Sequence, residues 1–116
     1  MNHRQKGKFY EEAAAVYLQQ QGLQIIAHNF FCPVGEIDLI AREESCLVFV
    51  EVKYRSSLQK GYPMEAVSFS KQKRIYRTAQ WYLQQHPLPE TWRCRFDVVS
   101  IYGTEITWIP NAFGGF

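Results

Sequence analysis

Leu47-Val48-Phe49-Val50-Glu51-Val52-Lys53-Tyr54 is an apolar run with a carboxylate and an ammonium set into its end. Six of its eight residues are β-branched, aromatic or Leu, the composition of a buried central strand. Side chains alternate along a strand, so Glu51 and Lys53 share one face while Val50 and Val52 share the other. Two charges in such a place require compensation, because an unpaired buried charge is strongly destabilising. Two explanations stand at this point: an internal ion pair between Glu51 and Lys53, or one half of a metal site.

Gly35-Glu36-Ile37-Asp38-Leu39-Ile40-Ala41, just upstream, carries two further acids. Alternation places Glu36 and Asp38 on one face and Ile37, Leu39 and Ala41 on the other. Arg42-Glu43-Glu44-Ser45-Cys46 is short and polar, which predicts an antiparallel hairpin between the two strands. In a register that aligns the charged faces, Asp38, Glu51 and Lys53 converge, with Glu36 close by. Paired carboxylates suit a hard divalent cation such as Mg²⁺, and a neighbouring lysine suits charge developing on a phosphate.

Composition bounds what the site serves. The chain of 116 residues is expected to form one domain over residues 1–116, and its 47% hydrophobic and 16% aromatic content is that of a folded chain. Net charge is only +2, so local charge matters more than the total. Arg4, Lys6 and Lys8 open the chain, and Lys71, Lys73, Arg74 and Arg77 crowd a later segment. These clusters fit either solvated faces or contact with a polyanion. Cys32, Cys46 and Cys94 form no CxxC pair, which fits a reducing compartment and opposes a disulfide framework or zinc finger. With no long uncharged apolar run, the expected location is cytoplasmic with no membrane partner. His3, His28 and His86 show no ligand spacing.

Helical composition predicts α-helix from Lys8 to about Gln21, closed by Gly22. At ~100° per residue Glu11 shares a face with Ala14, Ala15 and Leu18, whereas Glu12 points to the polar side. Leu23 to about Asn29 is expected as a first strand, ahead of the two charged strands. Ser56 to Val67 reads as a loop. A second helix begins after Ser68 or Ser70 and buries Ile75, Ala79, Tyr82 and Leu83, ending before Pro87 and Pro89. Gln72 near its start either caps it or reaches the acids. Arg93 to Tyr102 and Glu105 to Ile109 are expected strands around Gly103-Thr104, and the tail from Asn111 is expected to be irregular. Tyr76, Trp81, Tyr82 and Trp92 read as core or interface side chains, and Asp97 as structural.

The order αβββαββ resembles the α/β core of the restriction-endonuclease-like fold, a mixed β-sheet flanked by helices. Its PD-(D/E)xK nucleases carry an acid on the second strand and (D/E)-x-K on the third, matched by Asp38 and by Glu51-Val52-Lys53. The chain is more closely similar to the bacterial YraN-like family of small uncharacterised proteins. That likeness lies in Glu11-Glu12-x-Ala14-x-x-Tyr17-Leu18, in Gly35 to Ala41, in Val48-Phe49-Val50-Glu51-Val52-Lys53-x-Arg55, in Glu65-Ala66-Val67, in Lys71-Gln72 and in Phe96-Asp97-Val98-Val99. It departs at Tyr10, where the family usually has Gly.

The resemblance implies a nuclease-type fold related to archaeal Holliday-junction resolvases, in which a first-helix glutamate, here Glu11, joins the acidic site. Homodimerisation is implied by the same analogy. The expected catalytic set is Glu11, Asp38, Glu51 and Lys53. Asp38, Glu51 and the Val52 carbonyl are expected to hold Mg²⁺ or Mn²⁺. Lys71, Lys73, Arg74 and Arg77, with Gln72 and Arg55, are the candidate contacts to nucleic acid, DNA first. The alternative is a non-catalytic nucleic-acid-binding or assembly module that keeps the charges as a structural network.

Overall fold

Asn2 opens the first helix, α1 (His3–Gln20), by a reciprocal cap. Its side chain accepts the Gln5 amide while the Gln5 side chain accepts the Asn2 amide, which satisfies two donors the helix start leaves open. The helix therefore begins at His3 and not at the expected Lys8. At the other end Leu23 donates to the Leu18 carbonyl and Gly22 to that of Gln19, both at 3.0 Å, with Gly22 at φ 101°. That pairing stops a helix where a residue without Cβ follows it. The computed structural model describes residues 1–55 and 67–114, so the expected loop lies, but for Val67, outside the described residues.

Five strands follow in one mixed sheet with the order β1-β2-β3-β4-β5: β1 (Gln24–Cys32), β2 (Gly35–Glu43), β3 (Cys46–Arg55), β4 (Arg93–Tyr102) and β5 (Glu105–Phe113). The β2–β3 pair is the expected antiparallel hairpin, with Leu39 opposite Val50 and Ile40 opposite Phe49. β3 and β4 run parallel, and the connection between them carries α2 (Phe69–Gln85), whose N-cap is Ser68. The expected element order and mixed sheet are thus found.

The helices cover opposite faces. Ala14, Ala15 and Leu18 of α1 pack on Leu39, Ala41, Val48, Val50 and Val52. Ile75, Ala79 and Tyr82 of α2 pack on Ile37, Ile40, Leu47, Phe49 and Phe96. Full burial of a side chain the size of Leu18 or Phe49 stabilises by roughly 1.5–3 kcal/mol. Tyr82 is a core residue, edge-on to Phe30 at 5.1 Å between ring centres.

Alternation holds along β3 but fails at one point of β2. Ile37 was expected beside Leu39 and Ala41, yet it joins Ile40 on the α2 side. The cause lies across the ladder, where His28 pairs with Leu39 and Phe30 with Ile37, leaving Asn29 and Asp38 unpaired between them. Asn29 sits at φ 50°, a left-handed conformation that Asn tolerates better than most side chains. The two strands change face together at Asn29 and Asp38.

The tail is also more ordered than expected. β5 runs on through Asn111 to Phe113, and Phe113 stacks on Phe96 with ring centres 5.2 Å apart. Asp97 draws it in. This fully buried carboxylate accepts from Arg95 Nε at 3.0 Å, Trp108 Nε1 at 2.9 Å and the Asn111 amide at 2.8 Å. Arg95 also reaches Glu43 at 2.9 Å, which makes Asp97 the expected structural residue.

Candidate functional site

Asp38 occupies the place where β2 leaves the regular ladder, and its side chain does what a ladder carbonyl would do. Its Oδ2 accepts the Val52 amide at 2.8 Å. Glu51, next to Val52, projects to the α2 face, lines the same hollow as Asp38 and lies 3.4 Å from Lys71 Nζ. Glu11 arrives from α1 beside Asp38 and shares a hollow with Asn29. Helix phase had separated Glu11 from Glu12, and Glu12 is exposed while Glu11 is half-buried. Glu36 approaches Asp38 from the exposed rim. One carboxylate oxygen each from Glu11, Glu36 and Asp38 lie within 4.8 Å of one another.

Crowded acids hold protons. Burial, then the charge of Asp38, raises Glu11 to about 7. Burial, then the hydrogen bond with Asp38, raises Glu51 to about 8. Glu36 is also raised, first by burial and then by Asp38. On the cationic side, burial and the neighbouring Lys71 ammonium lower Lys53. Burial pulls Lys71 down, but Glu51, the hydrogen bond with Lys53 and Asp38 outweigh it and leave Lys71 raised. Such a set accommodates added positive charge, and its donors are all oxygens, the chemistry of a hard divalent cation.

Three adjoining hollows open onto these groups. One of about 400 Å³ is lined by Gly7, Glu11, Asp38, Glu51, Lys53 and Lys71, among others. A second of about 500 Å³ extends past Glu36, Lys71 and Arg74 to Phe31 and Val34. A third of about 570 Å³ lies between Arg4, Lys8 and Glu11 on one side and Asn29, Phe31 and Glu36 on the other. The acids thus lie at the centre of an open cleft with cationic residues on both flanks.

The structure brings Glu11, Asp38, Glu51 and Lys53 to this cleft, and separates the residues grouped as nucleic-acid contacts. Lys71 is turned into the cleft and lies 3.4 Å from Glu51, the neighbour that one of the two explanations assigned to Lys53. Gln72 donates its amide to the Val67 carbonyl at 3.0 Å, so it serves the start of α2 and not the acids. Lys73 lies over the exposed Phe69 ring, Arg74 borders the second hollow, and Arg77 is exposed. Arg55 is half-buried at the end of β3. Glu36, placed only near the acids by alternation, belongs to the group of three, whereas Glu51 stands beside it. One residue, Asn29, and the place of Lys71 beside Glu51 escaped the sequence argument. Asn29 left no periodic signal. Lys71 had one: it precedes Ile75 by one helical turn and shares its inward face.

Comparison with known proteins follows the whole chain. The model of the uncharacterised protein family UPF0102 matches residues 10–101. A UPF0102 protein of Lachnoclostridium phytofermentans is 51% identical over 116 residues, covering 100% of this chain and 98% of the relative. A UPF0102 protein of Francisella tularensis is 44% identical over 109 residues, 93% of each chain. One of Legionella pneumophila is 41% identical over 111 residues, 94% of each.

Proposed function

The chain belongs to the uncharacterised protein family UPF0102, and for this member we propose a divalent-cation-dependent nuclease that hydrolyses phosphodiester bonds, with DNA as the substrate. One observation carries the proposal: carboxylates from α1, β2 and β3 converge with two lysines in an open cleft between the helices. The resemblance to PD-(D/E)xK nucleases points the same way, since Asp38, Glu51 and Lys53 are its motif residues.

Glu11, Glu36 and Asp38 would hold the cation, with Glu51 and the Val52 carbonyl on the adjoining strand. A bound Mg²⁺ or Mn²⁺ supplies a Lewis acid and an acidified water. Lys53 donates to a non-bridging phosphate oxygen and holds the attacking water in line with the P–O bond that breaks. Lys71, 3.4 Å from Glu51, stabilises that carboxylate when it is ionised and leaves Lys53 available to the phosphate. Arg74 on one flank and Arg4 and Lys8 on the other hold the adjoining phosphates, so affinity falls steeply with salt. Pairing of two copies, which the resolvase likeness implies, would suit a branched substrate.

One observation favours a second reading, that of a non-catalytic nucleic-acid-binding or assembly module. Among the described residues no buried side-chain polar atom lacks a partner, so the charges also form a complete internal network. Incubation of structured and single-stranded DNA with Mg²⁺ or Mn²⁺, beside Asp38→Ala and Lys53→Ala, separates the two. The nuclease gives a cation-dependent product that both substitutions abolish. Salt-sensitive binding without product supports the module.

A further inference from the structure

Phe31 stands in the open at the meeting point of two hollows. It lies near the end of β1, opposite Glu36 of β2, and is 68% exposed. Its neighbour Phe30 turns the other way and is held edge-on against Tyr82 in the core. Strand alternation anchored by Phe30 therefore fixes Phe31 outward. Phe31 lines both the hollow that contains Lys71 and Arg74 and the hollow that contains Arg4 and Lys8. Val34, 39% exposed, extends the apolar lip into the second hollow. An aromatic ring thus stands between two cationic walls and beside the carboxylates.

That combination matches a polyanion carrying flat apolar groups. We infer that Phe31 stacks on an unpaired base of a nucleic-acid strand whose phosphates run between Arg4 and Lys8 on one side and Arg74 on the other. The inference rests on the nucleic-acid substrate proposed above and narrows it. Inside a continuous duplex both faces of a base are covered by its neighbours, so only a single-stranded, gapped or splayed segment offers a free face. The cleft accordingly selects unpaired nucleic acid over uninterrupted duplex.

The test is fluorescence anisotropy with a labelled 20-nucleotide DNA strand and a blunt duplex of the same length, in Ca²⁺, on the wild type, Phe31→Ala and Phe31→Trp. Stacking of one base, removed by alanine, corresponds to a loss of roughly 5- to 150-fold. The wild type is expected to prefer the single strand. Phe31→Ala is expected to lose that factor on the single strand, to change duplex binding less than twofold and to melt at the wild-type temperature. Phe31→Trp is expected to retain affinity. Phe9→Ala serves as the control, since Phe9 is 54% exposed but lines none of the three hollows. Equal losses on both DNAs, no loss on either, or a wild type that prefers duplex overturns the inference. The nuclease assignment fails separately, by absence of cation-dependent product, and a Phe31→Ala effect confined to single strands would still stand.

Discussion

Asp38 Oδ2 accepts the Val52 amide at 2.8 Å, so a side chain of β2 completes the hydrogen bonding of β3 where the backbone ladder has ended. The bond fixes the carboxylate beside Glu51 and under Glu11. It also makes the acid cluster part of the sheet, placed with the precision of a strand and not of a loop.

Stability of the cation-free protein falls as pH rises. Glu11 and Glu51 go from the ordinary 4.5 when unfolded to about 7 and about 8 when folded, so between these values the native state holds more protons. Their contribution is complete below the unfolded value and disappears as pH passes 7 and 8. With allowance for coupling and for solvent screening of Glu11, the loss from pH 5 to pH 8 is roughly 3 kcal/mol. Urea unfolding at the two pH values measures it, and saturating Mg²⁺ at pH 8 restores the difference.

Glu51→Gln distinguishes a crowded acid from a simple ion pair. Because Glu51 is protonated through most of the neutral range, glutamine imitates its native form. The variant exceeds the wild type by about 1 kcal/mol at pH 6 and by about 2 kcal/mol at pH 8, because the unfolded wild-type Glu51 is ionised at both values and the native one resists ionisation, by the same linkage. A buried ion pair with Lys71 would instead cost roughly 3–5 kcal/mol at both.

Gly35→Ala tests the seating of α2. A Cβ there would meet Thr78 Oγ1 at 2.7 Å and the Arg74 side chain at 3.2 Å, and Thr78 is buried and bonded to the Arg74 carbonyl. The neighbour is helix-anchored, so α2 must shift, at about 1–3 kcal/mol. Lys71 moves with the helix, and cleavage falls further than stability alone explains. Urea unfolding beside cleavage rates measures both.

Asp97→Ala is the counterpart away from the cleft. It leaves Arg95, Trp108 Nε1 and the Asn111 amide without their shared acceptor, at a cost of roughly 3–5 kcal/mol. Its Mn²⁺ affinity at a temperature where it remains folded equals that of the wild type, because Asp97 takes no part in the cleft.

The strand of Glu51 and Lys53, its hairpin with Asp38 and the inward phase of Glu11 were legible because period 2 and period 3.6 suffice to place them. What escaped depends on breaks in period or on distant partners. Ile37 changed face because Asn29 takes a left-handed turn opposite Asp38, and nothing local in the sequence announces that. Asn111 reads as a turn residue, yet buried Asp97 needs its amide and holds β5 on the sheet. Lys71 was hidden among its basic neighbours, although its spacing to Ile75 marked it. Asn2 and Gln5 form a cap whose pattern was present three residues apart and passed over.

The nuclease chemistry proposed for the cleft depends on a divalent cation among Glu11, Glu36 and Asp38. Calorimetric titration of the DNA-free protein with Mn²⁺ at pH 8 measures this most directly, beside Asp38→Asn, which keeps an acceptor for the Val52 amide. One saturable site in the wild type, weakened at least tenfold in Asp38→Asn with no loss of folded protein, is the predicted result. No saturable binding, or equal binding by both proteins, would contradict it.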